Sequence, residues 1–108
     1  MSKEFKDIVL KAFEAAHTAT QEVLNAPDFN WYPCGFANVR IKPATSKFAK
    51  YLKAEGLATK AYGGGLLVWN PSRSGTQSLD AKGAGCAAFV SVLKEELGID
   101  CYVESRMD

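Results

Sequence analysis

The chain has 108 residues, of which 47% are hydrophobic and 23% are charged, a balance that excludes wholesale disorder and fits one globular domain. The formal net charge of +1 argues against a dedicated duplex-DNA binder, which carries a larger basic excess. No apolar run approaches the roughly 20 residues of a membrane span, and the charged first segment lacks the apolar stretch of a signal peptide. We therefore expect a single domain over residues 1–108 that does not bind a membrane.

The cysteine and histidine content limits the chemistry that we expect. Cys34, Cys86 and Cys101 form no CxxC pair and no disulfide framework, which indicates reduced thiols in a cytosol. A single histidine, His17, and scattered cysteines argue against a structural zinc site and against a Cys–His catalytic pair. We expect no metal, no cofactor and no catalytic residue, which favours a binding protein and leaves an enzyme as the less supported class.

The first element is a helix over residues 3–25, because apolar residues from Phe5 to Val23 recur at spacings of four and three. The middle of this stripe is rich in alanine, so another helix, a sheet or a second copy of the chain can approach closely there. A loop over residues 26–34 then either folds over an edge of the core or forms a stacking surface for a partner. The aromatic residues of this predicted partner site are Phe29, Trp31 and Tyr32.

A strand and a short helix follow. Apolar and polar residues alternate over residues 35–42, which predicts a strand with one buried face. The helix begins at a cap, either Thr45 or Ser46, and runs through Glu55. Gly56 is suited to end it, because glycine adopts the left-handed conformation of a helix C-terminus at little cost.

The apolar run 66–69 predicts a strand that is buried on both faces and therefore central in the sheet. A polar loop over residues 70–79 leads to Asp80, which can cap a third helix that runs to about Leu97 and stops at Gly98. This helix carries small residues, and close packing would offset the helix propensity that its glycines lose. The small residues are Gly83, Ala84, Gly85, Ala87 and Ala88.

Residues 99–108 alternate strictly between apolar and polar side chains, which predicts a strand with one wet face at or near an edge of the sheet. The predicted order is helix-strand-helix-strand-helix-strand. Helical connections permit parallel neighbours, but the wet face of the last strand favours an α+β fold over a strict α/β fold. We therefore expect three helices packed on a small three-stranded sheet.

The loop before the third helix is the main candidate binding site. Backbone N–H groups and the helix dipole favour an anion there, and the loop adds an arginine and several neutral donors. The predicted ligand contacts are this loop and two residues that we expect near it: Trp69, Arg73, Ser74, Thr76, Gln77, Ser78 and Arg106. An ordinary polar loop is the alternative, because Asp80 at the same helix start already satisfies the dipole.

Charge is unevenly distributed along the chain. Residues 40–60 are mainly basic and residues 95–108 are mainly acidic, which fits solvated faces, head-to-tail self-association or a phosphate-bearing partner. The lysine row Lys47, Lys50 and Lys53 could also follow a single-stranded nucleic-acid backbone, with aromatic residues stacking on bases.

Short motifs from residue 34 onward resemble a group of small, uncharacterised proteins encoded by tailed bacteriophages. The motifs are Cys34-Gly35-Phe36-Ala37, Lys42-Pro43, Phe48-Ala49-Lys50-Tyr51-Leu52, Tyr62-Gly63-Gly64, Trp69, Gln77-Ser78, Gly98-Ile99 and Ser105-Arg106-Met107-Asp108. The resemblance extends over about the last three quarters of the chain and carries over no catalytic residue. The resemblance implies a protein that works in the host bacterial cytoplasm during infection and that binds and blocks a host component.

Three functions follow as expectations. The first is a phage-encoded, non-enzymatic, homo-oligomeric protein that sequesters an anionic, nucleotide-like host defence signal through the predicted ligand contacts. The second is an inhibitor that binds a host protein through the aromatic loop, since aromatic residues often anchor such interfaces. The third is weak binding of single-stranded nucleic acid through the lysine row.

Overall fold

The structure is a computed structural model that describes residues 2–27, 35–42, 46–60, 64–72 and 78–107. Within these ranges the chain forms three helices and four strands. In chain order they are α1 (Ser2–Leu24), β1 (Gly35–Lys42), α2 (Lys47–Ala54), β2 (Thr59–Lys60), β3 (Leu66–Trp69), α3 (Leu79–Leu97) and β4 (Asp100–Met107). None of the described helices is both long enough and apolar enough to cross a membrane.

The ends of α2 are fixed by local hydrogen bonds that the sequence predicts. The Oγ atom of Ser46, in an extended conformation, accepts a hydrogen bond from the backbone N–H of Ala49 at 3.1 Å. At the other end, Gly56 adopts a φ of 74°, and the N–H of Leu57 donates to the carbonyl of Leu52 at 2.9 Å. This is a Schellman motif, and it confirms Gly56 as the glycine that ends the helix.

The start of α3 differs from the prediction. Ser78, not Asp80, is the N-cap, because its Oγ accepts a hydrogen bond from the N–H of Ala81 at 3.2 Å. Asp80 already lies in the first turn, where its negative charge faces the positive end of the helix dipole. The predicted C-terminus is confirmed: Gly98 has a φ of 63° and donates its N–H to the carbonyl of Lys94 at 3.0 Å.

The sheet is antiparallel throughout, with the order β2-β3-β1-β4. The α+β class is confirmed, and the prediction of three strands is corrected to four. The missing strand was β2, whose two exposed residues are too few to give a periodic pattern. The strand β3 lies inside the sheet as predicted, but it is not buried on both faces, because Leu67 is half-buried and Trp69 is exposed.

The order of the elements from β1 onward is strand-helix-strand-strand-helix-strand. β1 and β2 run in the same direction, with β3 between them in the opposite direction. β3 and β4 also run in the same direction, with β1 between them. This is the ferredoxin-like, split βαβ arrangement, here preceded by α1. The predicted edge position of the last strand is confirmed, since β4 is the terminal strand of the order.

All three helices contribute to one core on one face of the sheet. The sheet supplies Val39, Ile41, Leu66, Val68 and Cys101, and the helices supply Ala12, Ala16, Phe48, Leu52, Phe89 and Leu93. The alanine stripe of α1 packs against α3 at Gly85, where the two helices are in close contact. A Cβ atom at Gly85 would lie 3.0 Å from the carbonyl oxygen of Ala16 and closer still to Thr20 Oγ1. The Oγ1 of Thr20 also donates a 2.6 Å hydrogen bond to the carbonyl of Ala81.

We predict that Gly85→Ala lowers the free energy of unfolding by about 1–3 kcal/mol, because the added methyl group forces the two helices apart. Gly83→Ala is the matched control on the same helix. Its Cβ would meet nothing within 4 Å, so helix propensity should raise stability by about 0.5–1 kcal/mol. Urea unfolding of both variants measures the difference, and equal stabilisation by both substitutions would contradict the close contact.

Candidate functional site

The surface of the sheet that faces away from the helices is exposed in part and carries large side chains. We call it the open sheet face. Its described residues include Phe36, Asn38, Arg40, Leu67, Trp69, Tyr102 and Glu104. The exposed fraction is 59% for Trp69, 50% for Phe36 and 38% for Tyr102. Among the described residues the only other large hydrophobic residue so exposed is Leu10, on α1, so exposed aromatic surface is concentrated on this face.

A groove of about 850 Å³ crosses one end of the open sheet face. Phe36 and Trp69 supply aromatic rings to its lining, and β4 closes one side. In the register of the sheet, Asn38 lies opposite Trp69 on one side and opposite Glu104 on the other. The groove therefore combines an amide and a carboxylate with two aromatic residues, and its volume is within the range of small-molecule sites, roughly 300–1,000 Å³.

An ion pair joins β1 and β4 on the same face. Arg40 Nε lies 2.6 Å from Glu104 Oε2, and Arg40 Nη2 donates to Glu104 Oε1 at 3.2 Å. The third guanidinium nitrogen, Nη1, donates to the carbonyl of Gly64. The hydrogen bond with Glu104 is the main cause of the raised pKa of Arg40. This two-point contact orients the Glu104 carboxylate beside the groove.

The ammonium groups of two lysines lie close to exposed aromatic rings of the open sheet face. Lys82 Nζ, from α3, lies 5.1 Å from the centroid of the Phe36 ring. Lys42 Nζ lies 5.8 Å from the centroid of Tyr102. Both distances are within the range of cation–π attraction. The aromatic surface is therefore flanked by positive charge near both of these rings.

The structure places three of the predicted ligand contacts. Trp69 lines the groove. Arg106 lies opposite Phe36 in the register of β1 and β4, and its side chain is outside the described residues. Ser78 is fully buried, and its hydroxyl caps α3. Four predicted ligand contacts lie outside the described residues, namely Arg73, Ser74, Thr76 and Gln77, as do all three residues of the predicted partner site, Phe29, Trp31 and Tyr32.

Sequence reasoning missed Phe36, Leu67 and Tyr102 as parts of a site. A signal for Phe36 was present, because the alternation of β1 puts it on the same side as Asn38 and Arg40. A large aromatic residue on the polar side of a strand indicates a surface that binds something. Tyr102 gave the same signal, because it lies on the polar side of the alternation over residues 99–108. Leu67 gave none, because its exposure depends on which side of the sheet the helices cover.

The described cysteines are poorly suited to nucleophilic chemistry. Cys86 and Cys101 are free thiols and both are buried. Burial raises the pKa of Cys86 to about 12 and also raises the pKa of Cys101. His17 is exposed on α1, and its Nδ1 lies 3.5 Å from the carbonyl oxygen of Ser72. The described residues contain no group of three or more histidine, cysteine or acidic residues that could hold a metal ion.

No family model, curated protein or solved structure matches the chain. Function has therefore to be inferred from the molecule's own geometry. That geometry defines the class of protein: an α+β domain of ferredoxin-like topology with an aromatic groove on its open sheet face.

We predict that Cys86 and Cys101 do not react with iodoacetamide at pH 8 in the folded Cys34→Ser variant, because burial keeps both thiols protonated and shielded. Both should react once urea unfolds the chain, as mass spectrometry can measure. Because the native pKa values are raised, the unfolded state loses these protons first. The free energy of unfolding should therefore fall as the pH rises above 9, the ordinary thiol value, towards about 12. Rapid labelling of either thiol in the native state would contradict this account.

Proposed function

We propose that this protein is a non-enzymatic binding protein that takes a nucleotide-like anion into the groove of the open sheet face. The observation that carries the proposal is the exposure of Trp69 and Phe36 in a groove of small-ligand size. Exposed aromatic rings are stacking platforms for nucleobases, and each stacked base contributes about 1–3 kcal/mol. Large apolar side chains that are exposed together on one surface mark an interaction site.

The polar residues of the groove suit the edge of a base. The amide of Asn38 offers both donors and an acceptor, which is the combination that base edges require. The Glu104 carboxylate, held by Arg40, can accept from an exocyclic amine. In the proposed complex the base stacks on Trp69 and its edge faces Asn38 and Glu104.

We assign the anionic part of the ligand to Arg106 and Arg73, two arginines that are close along the chain to residues of the groove. Arg106 is chosen because it lies opposite Phe36 in the register of β1 and β4. Arg73 is chosen because it lies four residues after Trp69 in the predicted anion-binding loop. Arginine suits this role because its planar fork binds phosphate oxygens in pairs. The lysines over Phe36 and Tyr102 add positive potential that attracts an anion to the same face.

The biological setting of the proposal comes from the resemblance to small proteins of tailed bacteriophages. We propose that the protein works in the host bacterial cytoplasm and sequesters a nucleotide-like defence signal. A protein that removes a signal by tight binding needs no catalytic group.

A host protein is the second candidate partner, because the exposed aromatic rings of the open sheet face are the type of residue that anchors protein interfaces. In this alternative Trp69, Phe36 and Tyr102 insert into a partner, with or without the predicted partner site Phe29, Trp31 and Tyr32. A single-stranded nucleic acid is the third, with bases stacked along the same face. Its affinity would fall more steeply with salt than that of a small anion in the groove, because more phosphates are neutralised.

We predict that Trp69→Ala weakens nucleotide binding by at least about tenfold, because the stacking platform is lost. Isothermal titration with mononucleotides and with linear and cyclic dinucleotides measures the affinity. Trp69→Phe should retain part of it, since a smaller ring still stacks. Leu10→Ala is the matched control, because Leu10 is 53% exposed on α1 and lies outside the groove. Equal affinity in the wild type and Trp69→Ala would contradict the proposal, as would a wild type that binds none of these nucleotides.

A further inference from the structure

The two edges of the sheet differ in length. The edge strand β2 has only two residues, whereas β4 has eight. Among the described strands, β4 pairs with β1 alone, so its outer backbone edge faces no other described strand. A long edge of this kind is a template for strand addition, and short or covered edges are the usual protection against it.

We propose that the occupant of this edge is a second copy of the chain, whose β4 pairs antiparallel with β4 of the first. The pairing is symmetric about a two-fold axis at Val103. Symmetric, self-complementary contacts are the commonest way in which identical chains associate. The proposal does not depend on what the groove of the open sheet face binds.

The faces of the sheet restrict the possible registers. Residues directly opposite each other in an antiparallel ladder project to the same face, as Val39 and Val103 do in the pairing of β1 with β4. In a symmetric pairing, the helices of both copies lie on one side of the joined sheet only if the two-fold axis passes through a residue. That residue then lies opposite its own copy. Two registers of this kind use nearly the whole strand, one centred on Val103 over residues 100–106 and one centred on Glu104 over residues 101–107.

Charge complementarity selects the register centred on Val103. There, Asp100 lies opposite Arg106 of the partner subunit, and symmetry repeats this attractive pair at the other end of the ladder. Tyr102 lies opposite Glu104 of the partner subunit, where a phenol can donate to a carboxylate. The register centred on Glu104 instead places that carboxylate opposite its own copy, and like charges directly opposite destabilise a ladder.

The consequence is one continuous sheet across both subunits. The residues Val103, Glu104 and Ser105 line the groove and also lie at the proposed seam. The two open sheet faces would therefore join along β4, and the two grooves would lie side by side. The polar row of β4, which contact with water also explains, acquires a specific partner.

Exchanging the charges tests the register. Sedimentation equilibrium of the full chain should show a dimer of twice 11.7 kDa. Asp100→Arg alone and Arg106→Asp alone should each weaken the dimer about tenfold or more, because both ends of the ladder then carry like charges. An equimolar mixture of the two variants should restore the dimer, since the introduced charges are complementary only between unlike chains. The double variant should also dimerise.

Matched controls carry the same charge changes elsewhere. Glu95→Arg lies on the exposed surface of α3, and Lys60→Asp lies on β2 at the opposite edge, so both should leave the dimer intact. Circular dichroism confirms that each variant is folded, and the mixing experiment detects pairing even where a single substitution lowers stability. A chain that stays monomeric at its highest soluble concentration would overturn the proposal. A dimer that is unaffected by either single charge exchange would overturn it too.

Discussion

Gly85 allows α3 to approach α1 so closely that Thr20 on one helix donates a hydrogen bond to a carbonyl on the other. Ala12 and Ala16 extend the same narrow contact along α1. Because small residues form this contact, the two helices pack as one layer, and α3 presents Phe89 and Leu93 to the core. The helical layer covers one face of the sheet, and this arrangement decides which strand residues are buried and which remain in contact with water.

The open sheet face is the consequence of that one-sided packing. A sheet that is covered on one side usually exposes small or charged residues on the other. Here the exposed side carries Phe36, Trp69 and Tyr102 around the Arg40–Glu104 ion pair. The ion pair fixes a carboxylate without adding net charge, while Lys42 and Lys82 supply positive charge beside the rings. Stacking surface, an oriented acceptor and positive potential are the features that a nucleotide-like anion requires.

Local patterns in the sequence predicted the helices, the glycines that end them and the alternation of β4, because these depend on neighbouring residues. The cap of α3 was misassigned because Ser78 and Asp80 are both good capping residues and only the backbone conformation distinguishes them. The apolar run Leu66–Trp69 predicts a strand that is buried on both faces, but the structure leaves one face open. Such a run has the same pattern whether helices cover one side of the sheet or both. The exposure of Trp69, on which the candidate site depends, is a tertiary property and could not be inferred from local pattern.

The central claim is that the open sheet face, and not the helical surface, is the binding surface of this protein. An amide NMR titration of the isotope-labelled protein with mononucleotides and with linear and cyclic dinucleotides tests it most directly. If the nucleotide binds in the groove, chemical shifts should change at Phe36, Asn38, Leu67 and Trp69 and at the neighbouring residues of β4, in a saturable manner. Shift changes confined to α1 and α3, or no change with any of these nucleotides, would contradict it.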